Sequence, residues 1–126
     1  MKKTIIFWAI LVSFSGCKKT VEALNMLGTW AVDSYYENGA DQTTFFKNIY
    51  VNYRIKFDAS GNYTETATVL GVNQTNGGPW KLINNGDDLE LTNQADNSKR
   101  YFHILEIKAS SSKVSEGTHE YHLLKQ

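Results

Sequence analysis

The chain has 126 residues, of which 41% are hydrophobic and 21% charged, and its 13 basic residues balance its 13 acidic ones. This length suits one domain, and a balanced charge without a basic stripe argues against nucleic-acid binding. A single cysteine excludes a scaffold built on internal disulfide bonds.

The N-terminus has the order of an export signal. Lys2 and Lys3 precede an apolar run at 5–14, and a Ser-Gly pair stands directly before Cys17. The run has about ten residues, roughly half of what a helix needs to cross a bilayer, so we interpret residues 1–16 as a cleaved signal peptide. Small residues directly before a cysteine resemble the lipobox of bacterial lipoproteins, in which that cysteine becomes the acylated N-terminus.

Cys17 is therefore predicted to carry the lipid. Exported proteins use cysteines mainly in pairs, so a lone one needs another purpose. The resemblance implies two or three fatty acyl chains of the palmitate type, which anchor a protein stably to a membrane. The alternative is an ordinary secretory signal with an incidental cysteine. In some lipoproteins acidic residues after the cysteine mark export to the cell surface; Lys18 and Lys19 stand there instead, which implies the outer membrane, facing the periplasm.

The mature chain divides into a tether and one domain. Cleavage removes Lys2 and Lys3, two of the 13 basic residues, and leaves 11 against 13 acidic ones. Residues 17–25 are polar and aperiodic, so we predict a short lipidated tether. Residues 26–126 form the predicted domain.

The first part of this domain has a hydrophobic period of two, which indicates strands. The first predicted strand presents one face with Trp30, Val32, Ser34 and Tyr36. In the second, Tyr53, Ile55 and Phe57 alternate with polar residues. Between these strands, the segment Gln42 to Asn48 has room for a helix that could cap the mouth of a barrel.

Turn residues divide the rest of the chain into short strands. The turn 58–62 predicts a hairpin, the segment Gly71 to Gly78 is predicted as a loop, and a second hairpin turns at 84–88. Further strands are predicted at 63–70, 79–83, 89–92, 99–108, 113–115 and 119–124. Eight short strands with regular turns indicate an all-β fold, either a barrel or a sandwich.

Several motifs carry a family resemblance. Gly28-Thr29-Trp30 resembles the glycine-x-tryptophan motif of lipocalins. Phe57-Asp58 with Gly61, then Gly78-Pro79-Trp80-Lys81-Leu82, and then Leu89-Glu90-Leu91 are similar to the lipocalin-like domains of bacterial lipoproteins. The resemblance implies a small antiparallel up-and-down barrel of about eight strands. In lipocalins an arginine of the last strand packs on the tryptophan; no arginine follows Arg100 here, and Lys125 is the candidate replacement.

Two functional hypotheses follow from this fold. An eight-stranded barrel is either filled by its own side chains or holds one small ligand. In the first hypothesis the protein binds a small apolar or amphipathic molecule, with selectivity set by Trp30, Tyr53, Phe57 and Trp80. In the second, a filled barrel acts as an envelope inhibitor or accessory subunit and contacts a protein partner through Phe45, Phe46 and Tyr50.

The sequence does not predict an enzyme, a cofactor or a metal site. Asp87 and Asp88 stand in a turn, where short acidic residues have a backbone role. His119 and His122 would face opposite sides of a strand, and the chain has no ligand cluster with zinc-type spacing. We therefore expect a non-catalytic protein.

Overall fold

The period-two pattern of the sequence forms strands in the computed structural model, which describes residues 19–126. The predicted signal peptide and Cys17 lie outside these residues. The strands are β1 (Gly28–Glu37), β2 (Ala40–Asp41), β3 (Val51–Phe57), β4 (Asn62–Val69), β5 (Val72–Ile83), β6 (Asp88–Thr92), β7 (Lys99–Ile107), β8 (Ser111–Glu116) and β9 (His119–Lys125). Residues 19–26 are helical (α1), α2 spans Thr43–Ile49, and a 3₁₀ turn spans Asn84–Gly86.

These strands close into an antiparallel barrel. From β3 to β9, each strand pairs with the next one along the chain, and β1 pairs with both β3 and β9. The two-residue β2 pairs with the end of β1, so the wall of the barrel has eight strands. The predicted up-and-down barrel is thus confirmed, and closure leaves no long open edge.

Up-and-down connectivity places the connections at two ends. The closed end carries α1, the turns 58–61, 84–87 and 108–110, and the C-terminus. The open end carries α2 and the turns 70–71, 93–98 and 117–118. The described residues thus contain a complete barrel with its own core, and such a unit is expected to fold alone.

Trp30 and Lys125 close the floor of the barrel. Trp30 is fully buried, and its Nε1 donates a hydrogen bond to the Met26 carbonyl at 2.8 Å. Lys125 Nζ lies 4.9 Å from the Trp30 ring centre and donates to the Asn25 carbonyl at 2.9 Å. Lys125 therefore takes the place of the missing arginine, as the sequence predicted.

The face predicted for β1 is wrong beyond Val32. The pairing of β1 with β9 shifts its register between Val32 and Ser34, which places an exposed bulge at Asp33. A bulge adds one residue and reverses the alternation that follows it. Tyr35 is consequently buried in the core, whereas Tyr36 packs against His122, with ring centroids 5.0 Å apart.

Three segment predictions also change. Residues 72–78 of the predicted loop Gly71 to Gly78 belong to β5, because β4 and β5 pair from Val69 and Val72 onward across a turn of Leu70 and Gly71. Residues 19–26, predicted as an aperiodic tether up to residue 25, are helical, and Met26 is buried. The predicted strand 113–115 extends over the whole of β8, while α2 agrees with its prediction within one residue.

Candidate functional site

The open end of the barrel contains a cavity of about 460 Å³. This volume lies within the range of roughly 300–1,000 Å³ typical of small-molecule sites. Its wall consists of aromatic residues, of charged or titratable residues, and of the inner face of the hairpin β4–β5: Tyr35, Phe46, Tyr50, Tyr53, Tyr121, Glu65, Arg100, Glu116, His119, Ala67, Val69, Gln74 and Asn76. We call this space the open-end cavity.

Below it, the barrel is nearly filled. A second cavity of about 30 Å³ lies among apolar side chains that include Ile55, Phe57 and Leu91. This is space for about one water molecule. Tyr53, Arg100 and Tyr121 border both cavities and therefore separate the packed lower half of the barrel from the open upper half.

The strand pattern turns three charged residues toward the barrel interior. Glu65 follows buried Tyr63 by two positions on β4, Arg100 precedes buried Phe102 by two on β7, and Glu116 follows buried Val114 by two on β8. Residues two apart in a strand share a face. The three side chains therefore meet inside the barrel, near its open end.

An ion-pair network forms the base of the open-end cavity. Arg100 donates through Nε and Nη2 to the two carboxylate oxygens of Glu116, both at 3.0 Å, and through Nη1 to Glu65 Oε2 at 3.4 Å. The Tyr53 hydroxyl donates to the same Glu65 oxygen. The guanidinium also lies 4.9 Å from the Phe102 ring centre. Two carboxylates thus share one guanidinium.

The surroundings of the network raise the pKa values of Tyr53, Arg100 and Tyr121. Burial raises the pKa of the Tyr53 hydroxyl well above 10.0, and the negative charge of Glu65 raises it further. Burial works against the charge of Arg100, but its hydrogen bond to Glu116 and the charge of Glu65 outweigh this and raise the pKa of Arg100. Burial also raises the pKa of Tyr121. Neutral tyrosines and a charged arginine therefore face the cavity near pH 7.

Helix α2 covers part of the opening. Phe46 is buried, and its ring centroid lies 5.0 Å from Tyr35, 4.9 Å from Tyr50 and 5.6 Å from Tyr53. Phe45 is 58% exposed and Tyr50 41% exposed. The three residues predicted as a protein contact thus separate, since Phe46 packs into the mouth while Phe45 and Tyr50 reach solvent.

The predicted ligand-binding residues also separate. Tyr53 borders both cavities and Phe57 only the inner one. Trp30 belongs to the barrel floor, and Trp80 lies near the closed end, where its Nε1 donates to the Asp58 carbonyl at 3.3 Å and its ring meets Phe57 edge-on. The geometry thus places both tryptophans away from the open-end cavity.

Histidines lie on both faces of β9. His119 Nδ1 lies 2.6 Å from the Tyr35 hydroxyl at the cavity, whereas His122 Nε2 lies 2.7 Å from Glu120 Oε2. Within residues 19–126, no group of three or more His, Cys, Asp and Glu side chains is arranged to hold a metal ion. None of the helices in this part of the chain is long and apolar enough to cross a bilayer.

Comparison with known proteins agrees with this architecture. Residues 26–111 match the family model of the lipocalin-like domain. No curated protein matches the chain. Among solved structures, a lipocalin-like protein from Bacteroides uniformis shares 14% identity with a TM-score of 0.67, covering 81% of this chain and 99% of its own. A protein from Bacteroides eggerthii shares 17% identity with a TM-score of 0.63, covering 80% and 99%. A DUF4847 family protein from Bacteroides vulgatus shares 13% identity with a TM-score of 0.59, covering 84% and 99%.

Proposed function

Because the chain belongs to the lipocalin-like domain family, we propose that it is a binding protein that holds a small amphipathic molecule in its open-end cavity. One observation carries the proposal: the lower barrel has about 30 Å³ of free space, whereas the open end has about 460 Å³. Aromatic walls suit the apolar part of a ligand, and the ion-pair network at the base suits a polar group.

A purely apolar ligand fits this site less well. It would cover Glu65 and Arg100 without replacing the water that reaches them, and burying polar groups without hydrogen bonds is unfavourable. The charged groups at the base of the cavity already bind one another, as the Arg100–Glu116 pair does. We therefore propose a binding role without catalysis or a cofactor.

Filling the cavity tests the binding role. Ala67 lines the open-end cavity, whereas Ala95 is exposed in the turn 93–98. The neutral fluorescent probe N-phenyl-1-naphthylamine is expected to bind residues 19–126, and Ala67→Trp is expected to weaken its binding about tenfold, or by about 1.4 kcal/mol. Ala95→Trp, the matched control, is expected to leave the affinity unchanged. Absence of binding, or equal losses in both variants, would contradict a site at the open end.

We propose that Cys17 anchors this domain to the outer membrane, facing the periplasm. The lipobox-like order before Cys17 and the lysines after it support this location. Two residues span at most about 7 Å, so the lipid would lie close to the start of α1 at the closed end. The open-end cavity would then face away from the anchoring membrane.

The anchor is tested by labelling cells with palmitate and separating their membranes. The wild-type protein is expected to take up label and to follow the outer membrane, and Cys17→Ser is expected to lose the label. A labelled Cys17→Ser protein, or an unlabelled wild-type protein, would contradict acylation at this cysteine.

A second candidate function is a contact with another envelope protein through the rim of the open end. Phe45 and Tyr50 are exposed there, as is Leu70 at the tip of the hairpin β4–β5. Exposed aromatic residues are enriched at interfaces. Phe45→Asp is expected to weaken such a complex in cross-linking experiments, whereas Tyr101→Asp, on the barrel wall, is expected to leave it intact.

A further inference from the structure

The base of the open-end cavity carries an excess of negative charge. Two carboxylates, Glu65 and Glu116, face one guanidinium, that of Arg100. The Glu65 side chain is 15% exposed and that of Glu116 30% exposed, so solvent screens them less than it would on an open surface. His119 at the rim is hydrogen-bonded to Tyr35. A cation entering the cavity therefore meets a net attraction, and an anion a net repulsion.

The network leaves an acceptor for such a cation, whereas its one guanidinium is already paired with both carboxylates. Glu116 engages two donors of the guanidinium, and the third contact goes to Glu65 Oε2. Within residues 19–126, the hydrogen bonds made by the Glu65 carboxylate both end on Oε2. Its Oε1 is therefore left to a ligand, whereas a ligand carboxylate that approached Arg100 would come close to Glu65 and Glu116, which carry the same charge.

Aromatic rings surround the space above this carboxylate. Phe46 lies at the centre of a group in which its ring centroid is 4.9–5.9 Å from those of Tyr35, Tyr50, Tyr53 and Tyr121. Ring faces attract cations, and the attraction grows when the cation is removed from water. The aromatic rings and the excess of carboxylates therefore both favour a positively charged group on the ligand.

We propose that the open-end cavity selects cationic amphiphiles, with the ammonium group among these rings beside Glu65 and the apolar chain along Ala67 and Val69 of the hairpin β4–β5. This inference rests on the proposed binding function and adds the chemical class of the ligand. Fatty acids and other anionic amphiphiles of the same length bind more weakly.

Three probes with the same ten-carbon chain test this selectivity. Decylammonium, decanol and decanoate are titrated calorimetrically into residues 19–126, below the micelle concentrations of the two ionic probes and below the solubility limit of decanol. The cation is expected to bind about tenfold more tightly than decanol, and decanoate more weakly than decanol. If decanol or decanoate binds as tightly as the cation, the charge selectivity is overturned while the binding function stands. If none of the three binds, both are overturned.

The variant Glu65→Gln measures how much the charge of the Glu65 carboxylate contributes to the selectivity for a cation. The variant keeps the size of the side chain, and the Arg100–Glu116 pair remains to hold the network. It is expected to lower the preference for the cation over decanol about tenfold. Glu90→Gln is the matched control, since Glu90 pairs with Lys81 and Lys99 on the outer wall. Thermal unfolding checks whether each variant is folded. If Glu65→Gln does not fold, Glu116→Gln removes the other carboxylate of the network instead. A preference unchanged when the inner carboxylate is removed overturns the inference.

Discussion

Lys125 shows how one side chain can replace another of different shape. An ammonium cannot stack on an indole as a planar guanidinium does, but it keeps the positive charge over the ring. Here it also donates to the carbonyl of Asn25, which joins the last strand to α1. Lys125 therefore stabilises both the tryptophan and the helix that closes the barrel floor.

We predict that Lys125→Met lowers the free energy of unfolding by about 1–2 kcal/mol, because it removes a cation–π contact and a hydrogen bond. Lys125→Arg is expected to retain most of the stability. Urea denaturation measures both. Lys113→Met serves as the control, since Lys113 pairs with Glu106 on the barrel surface. Equal effects of Lys125→Met and Lys113→Met would show that Lys125 contributes no more than a surface lysine.

We predict that the buried tyrosines of the barrel make the free energy of unfolding decrease at alkaline pH. Burial raises the pKa of Tyr35, Tyr53, Tyr63 and Tyr121 above 10.0. As the pH rises, the unfolded chain therefore releases these protons first, so the stability they confer is complete below about pH 10 and is lost above it. Urea midpoints measured from about pH 9 to about pH 11 should fall. The urea midpoint of Tyr53→Phe should fall less steeply with pH than that of the wild type. An identical slope would contradict a raised pKa for Tyr53.

Residue-scale features differ in how far the sequence predicts them. The tryptophan of the Gly-x-Trp motif and its partner Lys125 follow from the family resemblance. Glu65 and Arg100 do not, because a charged residue in a strand usually faces water and these two lie on strands far apart in sequence. Glu65 lies two residues from Tyr63, and Arg100 lies two residues from Phe102, so each shares a strand face with a buried aromatic residue. This shared face was the indication in the sequence that the two charged residues point inward. Tyr35 was unpredictable for another reason, since the bulge at Asp33 arises from pairing with β9.

At the scale of elements, Gly78 of strand β5 lies against the backbone at the end of β6. An added Cβ at Gly78 would lie 1.9 Å from the Thr92 carbonyl oxygen and 3.0 Å from the Gln94 nitrogen. The Gln94 N–H donates to the Gly77 carbonyl at 2.8 Å, which links the turn 93–98 to β5. The glycine thus permits two backbones to approach closely.

We predict that Gly78→Ala lowers the free energy of unfolding by about 3 kcal/mol, because backbone atoms would have to move to admit the methyl group. Gly39→Ala is the control: its backbone φ is also positive, at +80°, but an added Cβ would meet nothing within 4 Å. It should cost about 1 kcal/mol from backbone strain alone. Urea denaturation compares them, and equal costs would refute the close approach as the reason for Gly78.

Elements with a clear apolar period were predictable, and those without it were not. Strand β3 alternates between apolar and polar residues from Tyr53 to Phe57, where one face is buried and the other is solvated. The first half of β5 is exposed and rich in polar residues, so it resembles a loop although it pairs with β4 throughout. The Leu70-Gly71 turn adds to this, since both residues have positive φ but the leucine is not typical of such a turn.

For the molecule as a whole, the barrel is divided along its axis. The closed end is packed around Trp30 and joined to α1, whereas the open end holds the cavity beneath α2. The two sequence-based alternatives, a filled barrel and an open one, each describe one half. The sequence could not decide between them, because the same aromatic side chains can fill a barrel or line a cavity.

Native mass spectrometry of the protein purified from its own host shows whether the open end carries a small amphipathic molecule. The wild-type protein is expected to carry one additional small mass that solvent extraction releases, and the Ala67→Trp variant is expected to lack it. A wild-type protein that repeatedly shows its polypeptide and lipid mass alone, and that takes up none of the ten-carbon probes, would mean that the open end is not a binding site.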